Sequence, residues 1–320
     1  MSDWALGKKL NSQIANVPLN HLIWLQDYKT YGVDSYVFQN KDILHELYSS
    51  PIAANDSTVF DEAYSHNRSV MTKDNFVGWY KNKYGNTTSD SLLKILLYDF
   101  STWSDSEFST AIEAHYNNEI NISDWVKVGD KRSVTLSAME ASYVGESHVE
   151  QTVVFSIADF DHDDLETPIN DRTKAAITLI QYDPLKELGY MNQSGSNSGG
   201  WESCERRSWC NDTYYNALPT YLKDSVKPVI KSSPNTDNSD AVYTTDKAFL
   251  LSSRELGRGV GSNYEGTEYA YHGVNTSAGF FLRPHRNGNT TEFYIYPASG
   301  TSYAFCGASV ARCIVPCICV

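Results

Sequence analysis

Hydrophobic and polar positions are arranged differently in the two parts of the chain. From Asp90 to about residue 122 apolar residues recur at helical spacing. Leu92, Leu93, Ile95, Leu96 and Leu97 follow a potential cap at Asp90. Ser104 with Glu107 forms a capping-box signature before a second run, whose Phe108, Ala111, Ile112 and His115 share one face. This predicts a helical hairpin, with His115 a satisfied core or boundary residue rather than a ligand. From Trp125 onward the pattern changes to short β-type runs: Val126–Val128, Val134 with Leu136, Val153–Ile157, Ala175–Leu179 and Ala248–Leu251. A helix is expected from about Trp201 to Asn216, and a short one from Pro219 that Pro228 ends. Residues 279–320 read as hairpins. Phe280–Leu282 are apolar, Phe293, Ile295 and Tyr296 follow a Pro/Arg/Asn/Gly turn, and Ile314, Val315, Ile318 and Val320 predict a buried last strand.

Before residue 88 the pattern is mixed and aromatic-rich. Leu22–Leu25 form a short buried run, and Tyr31, Val33, Tyr36 and Phe38 point to extended structure. Ile43, Leu44 and Leu47 point to a helix stopped by Pro51. The expected fold class is α+β. A smaller, partly helical region 1–124 for attachment or oligomerisation precedes a domain 125–320.

A chain of 320 residues, 41% hydrophobic and 20% charged, can form a core. Its net charge of −13 argues against nucleic acid and anionic membranes, which need a basic face. The first residues hold no apolar signal core and no run spans a bilayer, so synthesis in a cytoplasm without export and reduced cysteines are expected. The 22 tyrosines are an unusually high count that favours a binding surface, with many of them expected in the core.

Two metal chemistries are compatible with the residue types present. Asp159, Asp161 and Asp163, in the run Asp159–Asp164, alternate as Ca²⁺-collecting carboxylates do, but the EF-hand glycine and distant Glu are missing. The competing reading is a solvated acidic turn. Cys306, Cys313, Cys317 and Cys319 contain no C-x-x-C spacing, so packing competes with zinc. No HExxH, P-loop, GxSxG or GxGxxG occurs. No cofactor is required, and the chain is expected not to be an enzyme.

Four segments carry a resemblance: Gly199-Gly200-Trp201-Glu202-Ser203 with Arg207-Ser208-Trp209-Cys210-Asn211; Asn216-Ala217-Leu218-Pro219; Asp246-Lys247 through Leu250-Leu251-Ser252 and Glu255; and Phe281-Leu282-Arg283 with Gly300 and Val315-Pro316. Together they resemble an uncharacterised domain family of phages and gut bacteria with a C-type-lectin-like fold. That fold group is similar to formylglycine-generating enzymes and to the variable proteins of diversity-generating retroelements. Cys210, Phe281 and Pro284 depart from the pattern's Leu, Trp and Ser. The resemblance implies a lectin-like domain on a virion, a tail-tip or fibre-associated receptor-binding protein. Its partners would be a host-surface glycan or protein and other virion proteins, with the chain a homo-oligomer. A decoration protein and a formylglycine-generating-like oxidase are the alternatives. Within this frame Trp201, Trp209, Arg207 and Arg283 are scaffold, with Arg207 and Arg283 expected to pair with Glu202 and Glu255. Recognition is expected from Tyr264, Tyr269, Tyr271, His285, Arg286, Asn287, Asn289, Tyr294, Tyr296, Tyr303 and Phe305.

Overall fold

A computed structural model describes residues 88–320 apart from 97–99, 143, 236–238, 258–263, 272, 276–278 and 299–302. The expectations for residues 1–87, and those for Leu97, Ser299 and Gly300, lie outside the described residues. The chain divides into two compact units, Met1–Lys127 and Val128–Val320.

In the first unit α1 spans Asp90–Leu96 and α2 spans Asp105–Tyr116. Ser104 caps α2 reciprocally: its hydroxyl accepts from the Glu107 amide at 3.3 Å while the Glu107 carboxylate accepts from the Ser104 amide at 2.7 Å. The buried face of α2 carries Phe108, Ala111, Ile112 and His115, as the spacing predicts. Phe108 lies 6.0 Å from the ring of Phe100. His115 is a core residue whose Nδ1 accepts the Ile122 amide at 3.2 Å.

The second unit is antiparallel β structure with short helices, which makes the chain α+β. Its strands are β1 (Lys131–Leu136), β2 (Gln151–Phe160), β3 (Asp164–Ile169), β4 (Arg172–Lys174), β5 (Ile177–Gln181), β6 (Val229–Pro234), β7 (Ala241–Asp246), β8 (Ala248–Leu250), β9 (Phe280–His285), β10 (Glu292–Tyr296), β11 (Ala304–Gly307) and β12 (Pro316–Cys319). Three sheets result among the described residues, in the orders β1-β2-β5-β12-β8, β4-β3-β6-β7 and β11-β10-β9. The edge strand β1 alternates exposed and buried residues. The inner strands β5 and β12 are buried throughout, the polar Thr178 and Gln181 of β5 included. Strand β12 pairs Ile318 with Leu179 on one side and with Ala248 on the other, so the last strand is central.

The helical stretch between β5 and β6 begins at Glu205, later than its tryptophan pattern predicts, because Trp201–Ser203 form turns. It runs as α3 (Glu205–Trp209), a π-helical turn (Cys210–Tyr214) and α4 (Tyr215–Ala217); α5 (Thr220–Ser225) follows Pro219. Arg206 on α3 is fully buried. Its Nε donates to the Tyr190 carbonyl at 2.8 Å, its Nη2 donates to the Val144 carbonyl, and its guanidinium lies 4.5 Å from the Trp209 ring centroid. Burial brings its pKa down to about 10. Gly189 is what makes room: a Cβ there would stand 1.9 Å from Arg206 Nη2.

Candidate functional site

The three-stranded sheet presents two different faces. On β10, Phe293 and Ile295 are buried while Tyr294 between them is half-exposed. Tyr294 stands directly opposite Phe305 on β11, so both rings share the outer face. Their centroids are 4.9 Å apart. Tyr303 completes a triangle, 5.4 Å from Tyr294 and 5.5 Å from Phe305. Arg286, just past β9, lays its guanidinium 4.3 Å over the Phe305 ring and pairs with Glu292 at 2.5 Å. This pair fixes a planar cation at the margin of the aromatic surface. The turn between β9 and β10 adds exposed Asn287 and half-exposed Asn289, whose Oδ1 accepts the Thr291 amide at 2.7 Å. Such a surface offers stacking faces, a guanidinium and amide groups.

Arg286, Tyr294, Tyr303 and Phe305 are thus the residues of the expected set that come together, with Asn287 and Asn289 next to them along the chain. Tyr264 and Tyr271 belong to other loops. The Tyr264 hydroxyl donates to the Ser239 carbonyl at 3.0 Å, and the Tyr271 ring packs on Gly129. Tyr269, His285 and Tyr296 are buried, and their place on a recognition surface is corrected accordingly. Tyr296 shares parity with Tyr294, but the Phe280 ring stacks on it at 5.2 Å and 7° and takes its exposed face. His285 stands opposite Phe293, on the inner side of the sheet, with its Nδ1 close over Gly200.

Two of the four expected scaffold residues, Trp201 and Arg207, meet at Asp246, a motif residue to which sequence reasoning assigned no role of its own. Asp246, at the end of β7, is fully buried and accepts from Trp201 Nε1 at 2.9 Å, Arg207 Nε at 2.6 Å, Asn211 Nδ2 at 3.0 Å and Thr244 Oγ1 at 2.7 Å. The expected Arg207–Glu202 pairing is corrected by this geometry. Glu202 is exposed, and Arg207 reaches only its backbone carbonyl, at 3.3 Å. Trp209 is buried instead among Arg206, His148 at 5.7 Å and Tyr214 at 5.7 Å. Arg283 pairs with Glu255 through two bonds of 2.6 and 2.9 Å, both side chains fully buried.

The acidic run does not gather its carboxylates. Asp159 accepts from the Phe160 and Ala270 amides at 2.9 and 3.0 Å, and Asp161 lies 3.8 Å from Arg172. Asp163 turns inward to Lys231 at 2.5 Å. No group of three or more His, Cys, Asp or Glu among the described residues is arranged to hold a metal ion. All six cysteines are free; five are buried, and burial pushes the Cys204 thiol up to about 12 and those of Cys317 and Cys319 well above the ordinary value. Such thiols behave as packing groups.

Behind the acidic run lies a buried ionic cluster. Lys231 on β6 bridges Asp163 and Glu255, the latter at 2.6 Å. The Tyr269 hydroxyl lies 3.0 Å from Lys231 Nζ and 3.1–3.2 Å from both Asp163 oxygens, and Thr178 donates to Asp163 at 2.5 Å. Burial alone would raise the Asp163 carboxyl, but the charge of Lys231, the His162 ring beside it and hydrogen bonds from Lys231 and Thr178 hold it well below its ordinary value. Burial would lower Lys231, and the two carboxylates instead raise it. Sequence reasoning missed this cluster because its members are far apart in the chain.

No helix among the described residues is long and apolar enough to cross a membrane. No curated protein and no solved structure matches the chain. Residues 176–293 match a family described as "Domain of unknown function (DUF6273)". The match takes in Trp201, Arg207, Asp246, Lys231, Glu255 and Arg283, and ends before Tyr294.

Proposed function

We propose that residues 128–320 form a recognition module of C-type-lectin-like architecture whose ligand stacks on the Tyr294–Tyr303–Phe305 face. The observation that carries this reading is that triangle of rings, 4.9–5.5 Å apart and bordered by the Arg286–Glu292 pair. Aromatic rings anchored on a sheet lose little conformational entropy on binding, and they suit the apolar faces of sugars and protein side chains equally. The ligand class is a host-surface glycan or protein. The motif resemblance supports placing the chain on a virion as a tail-tip or fibre-associated receptor-binding protein, with the N-terminal region attaching or self-associating.

The double variant Tyr294→Ala/Tyr303→Ala tests this. Each ring contributes about 1 kcal/mol or more of stacking and burial, so adsorption to host cells weakens by roughly 30-fold or more. Thermal unfolding should stay close to wild type, because both rings are partly in water. Wild-type adsorption by the double variant would sink the proposal. Particles that fail to assemble while adsorption persists would point to a decoration role instead.

A further inference from the structure

Strand register places Asp163 and Lys231 against each other. Leu165 pairs with Val229 in antiparallel β3 and β6, so the residue two positions before Leu165 faces the residue two positions after Val229. Lys231 Nζ accordingly lies 2.5 Å from Asp163 Oδ1, and the carbon of that carboxyl is one bond further on. A second carboxylate, Glu255, holds the same nitrogen at 2.6 Å. All three side chains are buried. The Phe249 ring lies 4.2 Å from the ammonium, and Cys319 Sγ is 3.4 Å from Asp163 Oδ2.

An amine, an acid and a neighbouring carboxylate, held together away from water, are the parts needed to make an amide. We propose that Lys231 and Asp163 condense spontaneously into an intramolecular isopeptide bond, with Glu255 carrying the protons. A proton first passes from Nζ to the Asp163 carboxyl, leaving a neutral amine and a neutral acid. The nitrogen lone pair then adds to Cγ. The oxygen that takes up the electron pair is met by the hydroxyls of Tyr269 and Thr178, which already donate to this carboxyl. Glu255 removes a proton from the nitrogen and delivers it to the departing hydroxyl, and the Cγ–O bond breaks. Of the three ammonium hydrogens one stays on the amide and two leave with a carboxylate oxygen as water. The step needs no oxidant or reductant, and it consumes one positive and one negative charge.

Two terms favour it. Groups fixed at contact distance react with effective molarities of about 10⁵–10⁸ M, against which the water produced is a weak competitor. Condensation also removes two charges from an interior where keeping them is costly. The opposing term is the ionised resting state, in which Lys231 is raised and Asp163 lowered. It makes the reaction slow and places bond formation after folding. Arg283, bound to Glu255 through both oxygens, keeps the proton carrier in place.

Denaturing intact-mass spectrometry of the purified full chain, fresh and after prolonged storage, decides the matter. The expected mass is one water below that of the sequence. Trypsin should yield a branched fragment joining residues 133–172 to 224–247, uncut after Lys231. Lys231→Arg, which keeps the charge but not the primary amine, should show the full mass and linear peptides. Glu255→Gln should slow the branch by tenfold or more. Full mass in aged wild type, with linear peptides 133–172 and 224–231, overturns the proposal. So does a water loss that persists in Lys231→Arg or maps to other residues.

Discussion

Asp246 is where a single substitution should cost the second unit most for the fewest atoms removed. Asp246→Ala leaves the Trp201 indole N–H with no acceptor in the interior and the Arg207 guanidinium without its carboxylate. Asn211 loses less, since its Nδ2 also donates to the Arg207 and Ala248 carbonyls at 3.0 and 3.2 Å. Thr244 keeps a long bond of 3.4 Å to the Lys231 carbonyl. A stranded buried donor costs about 1–3 kcal/mol, and breaking a buried ion pair about 3–5. The Arg207 side chain is 24% exposed and recovers part of its hydration, so the sum is set at about 3–5 kcal/mol. For a unit of this size each kcal/mol moves the midpoint by about 2–4 °C, giving a fall of roughly 6–20 °C. Calorimetry and urea unfolding would measure it. Asp246→Asn, which keeps one acceptor and turns an amide toward the remaining donors, should fall between wild type and Asp246→Ala. Trp201→Phe, which removes only one of the four donors, should cost less than Asp246→Ala. A loss below about 1 kcal/mol for Asp246→Ala would refute the view that this carboxylate organises the α3–β7 junction.

Gly189→Ala tests the pocket of Arg206. The added Cβ would meet the guanidinium at 1.9 Å and the Val144 carbonyl at 2.9 Å, and Arg206 is held on both sides, so urea unfolding should show a loss of about 1–3 kcal/mol or more. Acid unfolding tests the Arg283–Glu255 pair. Burial alone would raise the Glu255 carboxyl, but Arg283 and Lys231 outweigh it and hold the folded value below the ordinary one. A lowered carboxyl contributes stability that is present above its unfolded pKa, about 4.3, and is lost as pH falls through the folded value. Arg283→Met should therefore bring the acid midpoint, followed by circular dichroism, to higher pH. An unchanged midpoint would mean that the pair contributes nothing to acid stability.

Local signals survived the passage from sequence to structure better than distant ones did. The Ser104–Glu107 cap needs four consecutive residues and appears where its spelling says. So does the last strand, because Ile314–Val320 offers no polar face to expose. Aromatic identity carried less information. Tyr294 and Tyr296 stand two apart on one strand and cannot be told apart by alternation; only Phe280, on another strand, covers one of them. Arg207 found Asp246 rather than Glu202 because Glu202 lies before the helix starts and faces outward. The acidic run reads as a loop in one dimension, yet Asp163 is taken out of it by a lysine from a strand 68 positions later (231 − 163), a pairing fixed by register alone.

Strand β12 has a consequence for how the chain is made. Because it lies between β5 and β8, the five-stranded sheet has a strand-wide gap until Pro316–Cys319 has emerged from the ribosome. Until then β5 and β8 each show the nascent chain's surroundings an unpaired apolar edge. The second unit therefore completes this sheet only once Pro316–Cys319 is available, rather than progressively as the earlier strands appear. The same gap would let a chain lacking Pro316–Cys319 accept a matching strand from another molecule, so β12 guards the growing protein against its own copies.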